Sequence, residues 1–294
     1  MDKNLALKKN LDSDEIKSGN KFKFDIWYAE AWSRRQGYFS FKIANNLKKK
    51  FANEGTKIES VLDVCSGSGE FLNVMNTFVK DCMGVDNADG YLDFVKTKYP
   101  NIKFKKVDKL YTFDLGRKFD LITCNHDVVN MFLKFEEWQE FFKVCYKHLN
   151  DGGMLLFDFY SERMMNSWEK VTFEQDYTLD YVQKVANENG VCIMDEVYYI
   201  RESDSLYRKT ADKLIETSFP TKSVYDALKE AGFKDIEFID IEFSHRDIND
   251  DVDRVHVLCK KQAKLIKWLT NRVLYCIMTT VILIKVLVRF LIFD

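Results

Sequence analysis

Val61-Leu62-Asp63-Val64-Cys65-Ser66-Gly67-Ser68-Gly69-Glu70-Phe71 is the stretch on which the fold turns. A short apolar run with β-branched residues, Val61–Cys65, predicts a buried strand. Gly67 and Gly69 follow, and a helical pattern begins at Glu70. Glycines at such a turn let backbone approach a ligand that any side chain would obstruct. In an open α/β sheet that position is the crevice at the carboxyl end of the first strand. Taken alone, the two glycines would equally suit an ordinary turn.

Working outward, the pattern alternates. Helix Glu70–Val79, strand Cys82–Asp86, helix Tyr91–Lys98 and strand Ile102–Val107 come first. Strand Phe119–Cys124, helix Phe135–Leu149 and strand Met154–Tyr160 follow. Asn150-Asp151-Gly152-Gly153 supplies the stop after the last helix. Strands alternating with helices at this pitch predict a mostly parallel sheet covered on both faces. Between Trp168 and Ser218 the texture becomes strand-rich, with runs Lys170–Phe173, Tyr177–Ala186, Val191–Arg201 and Leu206–Glu216. Asn189-Gly190 is a strong hairpin signal between the middle two. This predicts a small antiparallel insertion, about 168–218, lying over one edge of the sheet. Helix Ser223–Ala231, strand Ile236–Phe243 and a final strand Arg254–Lys260 close the pattern.

Asp86 ends the second strand 23 residues after Asp63, where a carboxylate accepts hydrogen bonds from a ribose diol. Asp108 follows the third strand, placed to take an adenine amino group. Either acid alone would also serve as a helix cap. A dinucleotide pyrophosphate prefers a helix N-terminus free of acid, and Glu70 directly follows Gly69. A ligand with an amino-acid end and a positive sulfonium suits Asp63 and Glu70 better, which points to S-adenosylmethionine.

At these residues the chain resembles the class I S-adenosylmethionine-dependent methyltransferases. Their first motif, acid-x-Gly-x-Gly-x-Gly, matches Asp63–Gly69 except that Cys65 stands at the first glycine. The resemblance covers about Val61 to Lys260. It implies a Rossmann-like α/β fold with a seven-stranded, mostly parallel sheet of order 3-2-1-4-5-7-6, strand seven antiparallel. It places Asp86 on the ribose and Asp108 on the adenine. Asp63, Cys65, Gly67, Gly69, Asn87, Lys109 and Asn125 complete the expected cofactor set, with Tyr28 either touching the cofactor or closing over the substrate.

The segment after strand four, Cys124-Asn125-His126-Asp127-Val128, sits where a transferred methyl group should emerge. His126 is the candidate general base, with Asp127 orienting it or holding a substrate amine; both would also cap the following helix. His245 is a second candidate, whereas His148 and His256 read as structural. Residues 1–58 read as an N-terminal helical lid, rich in aromatics between Phe22 and Phe51 and similar to the lid of sugar N-methyltransferases. Residues 59–261 form the methyltransferase domain, and 262–294 a hydrophobic, basic C-terminal helix.

Hydrophobic residues at 46% provide for a full core, and a formal charge of −2 gives no pull toward nucleic acid. No Asn/Asp-Pro-Pro-aromatic motif follows strand four. From Lys260 onward seven Lys or Arg stand against one acid, and Lys260, Lys264, Lys267, Lys285 and Arg289 fall on one helical stripe. That pattern predicts membrane contact by an interfacial helix or a tilted span, the alternative being a helix packed on a second subunit in a homodimer. The seven cysteines show no metal-type spacing, so no metal is expected. No apolar leader opens the chain, which places it in the cytoplasm, at the face of a membrane if the tail binds one. Three functions compete: methylation of N or O on a small molecule such as an amino sugar or sugar phosphate, methylation of a lipid or quinone at a membrane, and a catalytically idle cofactor-binding subunit.

Overall fold

Strand β1 (Ser60–Val64) is buried at all five positions, so both its faces are covered. It pairs in parallel with β2 (Asp81–Asp86) on one side and β4 (Phe119–Cys124) on the other. The computed structural model describes residues 24–247 and 251–263. The sheet continues outward through β3 (Lys103–Lys106) beside β2, and β5 (Leu149–Tyr160) beside β4. β12 (Arg254–Lys261) runs antiparallel to β5, and β10 (Phe233–Ile239) antiparallel to β12. The expected order of seven strands is therefore present. It is extended by one edge strand, β11 (His245–Arg246), too short for a sequence pattern to reveal.

The helices cover this sheet as the alternation requires. α2 (Glu70–Met75) is shorter than expected, since the chain leaves the helix in turns from Asn76. α3 (Asp89–Lys98) follows β2, and α4 (Phe135–His148) and α6 (Thr221–Ala231) pack together. Trp138, Phe141, Phe142, Phe157, Phe159 and Phe219 fill one face of the sheet, all essentially without exposure. Burying each such ring contributes roughly 1.5–3 kcal/mol.

The aromatic N-terminal segment is a single helix, α1 (Ile26–Glu54). The Asp25 carboxylate caps it by accepting the Tyr28 N–H at 2.8 Å, and Gly55 ends it in the left-handed conformation at φ 65°. At 1.5 Å per residue it is about 43 Å long. Tyr28, Ala29 and Ala31 at its start join one core cluster, whereas Ile43, Ala44, Leu47 and Phe51 near its end join another under α2. Its middle crosses over the ends of the central strands.

The antiparallel insertion is a four-stranded sheet of β6 (Lys170–Gln175), β7 (Leu179–Glu188), β8 (Val191–Arg201) and β9 (Tyr207–Thr217) in that order. Asn189 and Gly190 join β7 to β8 with φ 54° and 78°, the double positive φ of a tight two-residue hairpin. Its position corrects the expectation. The insertion does not lie along a sheet edge but packs on α1, on α5 (Glu162–Ser167) and on the 3-10 turn Val128–Met131 that follows β4. Asn130 fixes it there: its amide nitrogen donates to the carbonyls of Tyr160 at 3.1 Å and Thr217 at 2.7 Å, and its oxygen accepts the Tyr160 N–H at 2.9 Å. No sequence periodicity reports a single buried side chain that ties three elements together.

No helix of the described residues is long and apolar enough to cross a membrane. The basic, apolar C-terminal segment expected to touch a membrane or a second subunit lies outside the described residues from 264 onward.

Candidate functional site

A cavity of about 590 Å³ opens at the carboxyl ends of β1, β2 and β4. Asp63 lines it from β1, Cys65 and Gly67 from the turn that follows, Asn87 from the end of β2, and Asp108 and Lys109 from the segment after β3. Asn125 and His126 enter from the end of β4, and Tyr28 from α1. The strand-end residues, far apart in sequence, thus share one wall.

Two predicted members stand elsewhere. Gly69 is not on the wall: at φ 81° it begins α2, and a Cβ there would come within 3.0 Å of Tyr99 and 3.1 Å of Val95. Its smallness serves helix packing and a left-handed turn. Asp86 also lies behind the wall, 1% exposed. Its carboxylate accepts the Gly67 N–H at 2.9 Å and the Ala88 N–H at 3.0 Å, so it shapes the loop that the cavity presents. Burial pushes its carboxyl up in pKa, and these backbone donors oppose that.

Glu70 departs from its expected part as well. It lines the cavity, but Lys98 Nζ donates to it at 2.9 Å and the hydroxyls of Ser33 and Ser68 donate to the same carboxylate. Its charge is therefore already paired and is not an open seat for an amine. Asp63 is the better one. It is 4% exposed, and burial pushes its carboxyl up to about 8 although Thr123 Oγ donates to it at 2.6 Å. Cys65 takes φ 56°, the left-handed region where glycine stands in the family motif. Burial pushes its thiol well up, so it stays protonated.

Whether the cavity fits a nucleoside-bearing cofactor is tested by its unused polar atoms. Ser66 Oγ and both side-chain atoms of Asn125 are buried without a partner, and both residues line the cavity. Buried polar groups in a native fold are nearly always satisfied, so these atoms call for a ligand. Carboxyls at two strand ends, unsatisfied amide and hydroxyl groups, and the apolar faces of Phe24, Tyr91 and Leu110 suit an adenosyl group with an amino-acid end.

A second cavity, about 390 Å³, adjoins the first. Trp32, His126, Met131 and Leu214 line both. Its remaining wall is strongly polar: Asp127, Glu174, Glu196 and Glu216 face Arg35, Lys170 and Arg254. α1 roofs it, and Arg35 makes a two-pronged ion pair with Glu174 on β6 at 2.7 and 2.9 Å.

His126 and Asp127 sit at the junction in adjacent left-handed conformations, φ 66° and 52°. Two consecutive non-glycine residues there cost roughly 1–2 kcal/mol each. Asp158 holds them, accepting the His126 N–H at 2.8 Å and the Asp127 N–H at 3.2 Å, and Arg254 Nη1 closes the cluster 3.1 Å from Asp158. Arg254 also pairs with Asp127. His126 Nε2 lies 2.8 Å from Ser40 Oγ on α1, and its ring packs against Phe39 and Trp32. Burial pushes the imidazole down to about 4, so it is neutral in ordinary buffers. Asp127 does not orient the imidazole, because its carboxylate turns to Arg254. Tyr28 likewise spends its hydroxyl on Glu196, which also accepts from Tyr181 and from Gln183 Nε2 at 3.0 Å.

His245 is exposed on the two-residue edge strand and lines neither cavity, which removes it as a base. His148 Nε2 accepts the Leu115 N–H at 3.1 Å, a structural bond as expected. His256 is 6% exposed, paired in register with Asp158 across β12 and β5, with both ring nitrogens unpartnered. Sequence reasoning missed Asp158, Glu196, Glu216 and Arg254. Each reads as an ordinary acid or base on a strand, and alternation alone does not announce a charge that faces inward.

A sheet of this order with a ligand cavity at the β1, β2 and β4 ends defines the class of Rossmann-like methyltransferases. The family model for a methyltransferase domain matches residues 31–238, so the chain belongs to that family. It is a methyltransferase, and with the donor set above its cofactor is S-adenosylmethionine. Among similar proteins, YqeM of Bacillus subtilis, provisionally named as a methyltransferase, is 21% identical over 70% of this chain and 85% of its own. A solved S-adenosylmethionine-dependent methyltransferase from Clostridium acetobutylicum superposes with TM-score 0.71 at 19% identity, over 81% of this chain and 98% of that one. CalS10, an amino pentose methyltransferase from Micromonospora echinaspora, superposes with TM-score 0.63 at 20% identity, over 82% and 99%. At these identities the solved structures establish the likeness of fold.

Proposed function

We propose that this enzyme methylates a nitrogen of a small polar amine of the amino-sugar class, in the cytoplasm. The observation that carries the reading is the second cavity: a polar chamber with four carboxyl side chains that meets the cofactor cavity at His126. An ammonium group and several hydroxyls find partners on such a wall, whereas a quinone or lipid tail offers none to the buried Glu216 carboxyl. The likeness to an amino pentose methyltransferase supports the same class. The acidic body of the chain speaks against a nucleic-acid substrate, and the wall is built for a small molecule.

Bound S-adenosylmethionine supplies a methyl group on a positively charged sulfur. The protein's remaining tasks are to align the acceptor and to manage its proton. Asp63, Ser66, Asn87, Asp108, Lys109 and Asn125 hold the cofactor, while Cys65 and Gly67 give their backbone to its bed. Asp86 holds that bed in shape. Trp32 and His126, at the junction, shape the passage through which the acceptor nitrogen approaches. α1 acts as the lid, its middle turns excluding water from both chambers.

The test is to incubate the protein with methyl-labelled S-adenosylmethionine and a panel of aminodeoxy sugars, each beside its hydroxyl counterpart, and to locate the label by mass spectrometry. Label on the amine of at least one member is expected. Label confined to oxygen, or appearing only in lipid extracts, would overturn the reading.

A further inference from the structure

Glu216, near the end of β9, is 2% exposed, lines the second cavity, and has an Oε2 atom with no hydrogen-bond partner. The other carboxylates there are already engaged. Glu196 accepts from two tyrosines and a glutamine, Glu174 is held by Arg35, and Asp127 is held by Arg254. Asp158, behind them, accepts two backbone N–H groups. Asp127 is the carboxyl beside Glu216, and Glu216 Oε2, buried and facing the chamber, is the atom open to a polar group from outside the chain.

We propose that Glu216, with Asp127 beside it, is the amine subsite of the acceptor cavity and takes the proton that the acceptor must lose before methylation. This rests on the nitrogen-acceptor reading above. An alkyl ammonium carries no free electron pair, so one N–H bond has to break. Its electrons stay on nitrogen, and the proton forms an O–H bond on Glu216 Oε2. Burial first, then the nearby Asp127 and Glu196, push the Glu216 carboxyl well up, with Arg254 opposing. In the proposed cycle this carboxyl starts neutral. One proton leaves to solvent as the ammonium binds, and the ammonium proton then restores the neutral acid. The methylated product departs as a cation with Glu216 as it began, so charge and protons balance.

His126 is the weaker candidate for this step. Its Nε2 faces Ser40, and burial leaves it a poor proton acceptor beside an amine. The charged and titratable groups around Glu216 are Asp127 from the turn after β4, Tyr160 from β5, Cys192 and Glu196 from β8, and Arg254 from β12.

The experiment is titration calorimetry at pH 7 with S-adenosylhomocysteine saturating, using 2-, 3- and 4-aminodeoxyglucose as probes beside glucose, in buffers of different ionisation enthalpy. The native protein should bind at least one amine about tenfold more tightly than glucose and release about one proton per amine bound. Glu216→Gln should lose that preference and the proton release while S-adenosylhomocysteine affinity stays within about twofold. If Glu216→Gln also fails to bind S-adenosylhomocysteine, Asp127→Asn is read in its place. Undiminished amine affinity and proton release in the readable variant would overturn the proposal while leaving the nitrogen-acceptor reading intact. A native protein that binds no amine, or glucose equally well, would overturn both.

Discussion

Cys65, His126 and Asp127 hold left-handed backbone without the freedom of glycine, and all three border a cavity. At Cys65 the strain occupies the place of a family glycine, so Cys65→Gly should leave the fold intact and raise stability by about 1 kcal/mol in urea unfolding. Asp86 acts through the backbone it grips. Asp86→Ala frees two N–H groups of the loop, and should weaken S-adenosylmethionine binding at least about tenfold by calorimetry. His126 links the site to pH. Its folded value, about 4, lies below the ordinary 6.5. The stability it contributes is therefore complete above 6.5 and is lost as pH falls toward 4, by at most about 3 kcal/mol. His126→Asn should flatten that part of a melting-temperature profile against pH. Asp63 has the opposite sign: its contribution is complete at acid pH and fades as pH rises toward about 8.

Among the elements, α1 does more than its amphipathic pattern suggests. It contributes to two separate core clusters and roofs both cavities. Its N-cap is held against α3 at Gly90, where a Cβ would lie 1.8 Å from the Phe24 carbonyl oxygen. Gly90→Ala must push Phe24 and Asp25 away. It should cost about 2 kcal/mol of stability and weaken cofactor binding, because Phe24 and Tyr28 line that cavity. A stability loss with unchanged cofactor affinity would show that the start of α1 is no part of the site. The helix and the β7–β8 hairpin were legible because their signals are local: an aromatic-rich stretch between Phe22 and Phe51, and Asn189-Gly190 at a tight turn. The place of the insertion over the strand ends was not, since it depends on Asn130 reaching two other elements.

For the whole molecule, the described fold closes at β12, where Lys261 Nζ donates to the carbonyls of Tyr146 and Leu149 at 2.8 and 2.9 Å. A chain ended after Ala263 should therefore fold and keep its cofactor affinity within about twofold. Loss of binding would show that the segment beyond it completes the site. The sequence by itself determined the doubly covered sheet and the glycine-bearing turn after its first strand. Each of these is written in neighbours a few residues apart, where sterics and periodicity act. Tertiary structure alone decided which acids are spent and which remains available. Asp127, Asp158, Glu216 and Arg254 come from four distant segments, and whether a buried charge is satisfied depends on what the folded chain brings within about 3 Å of it.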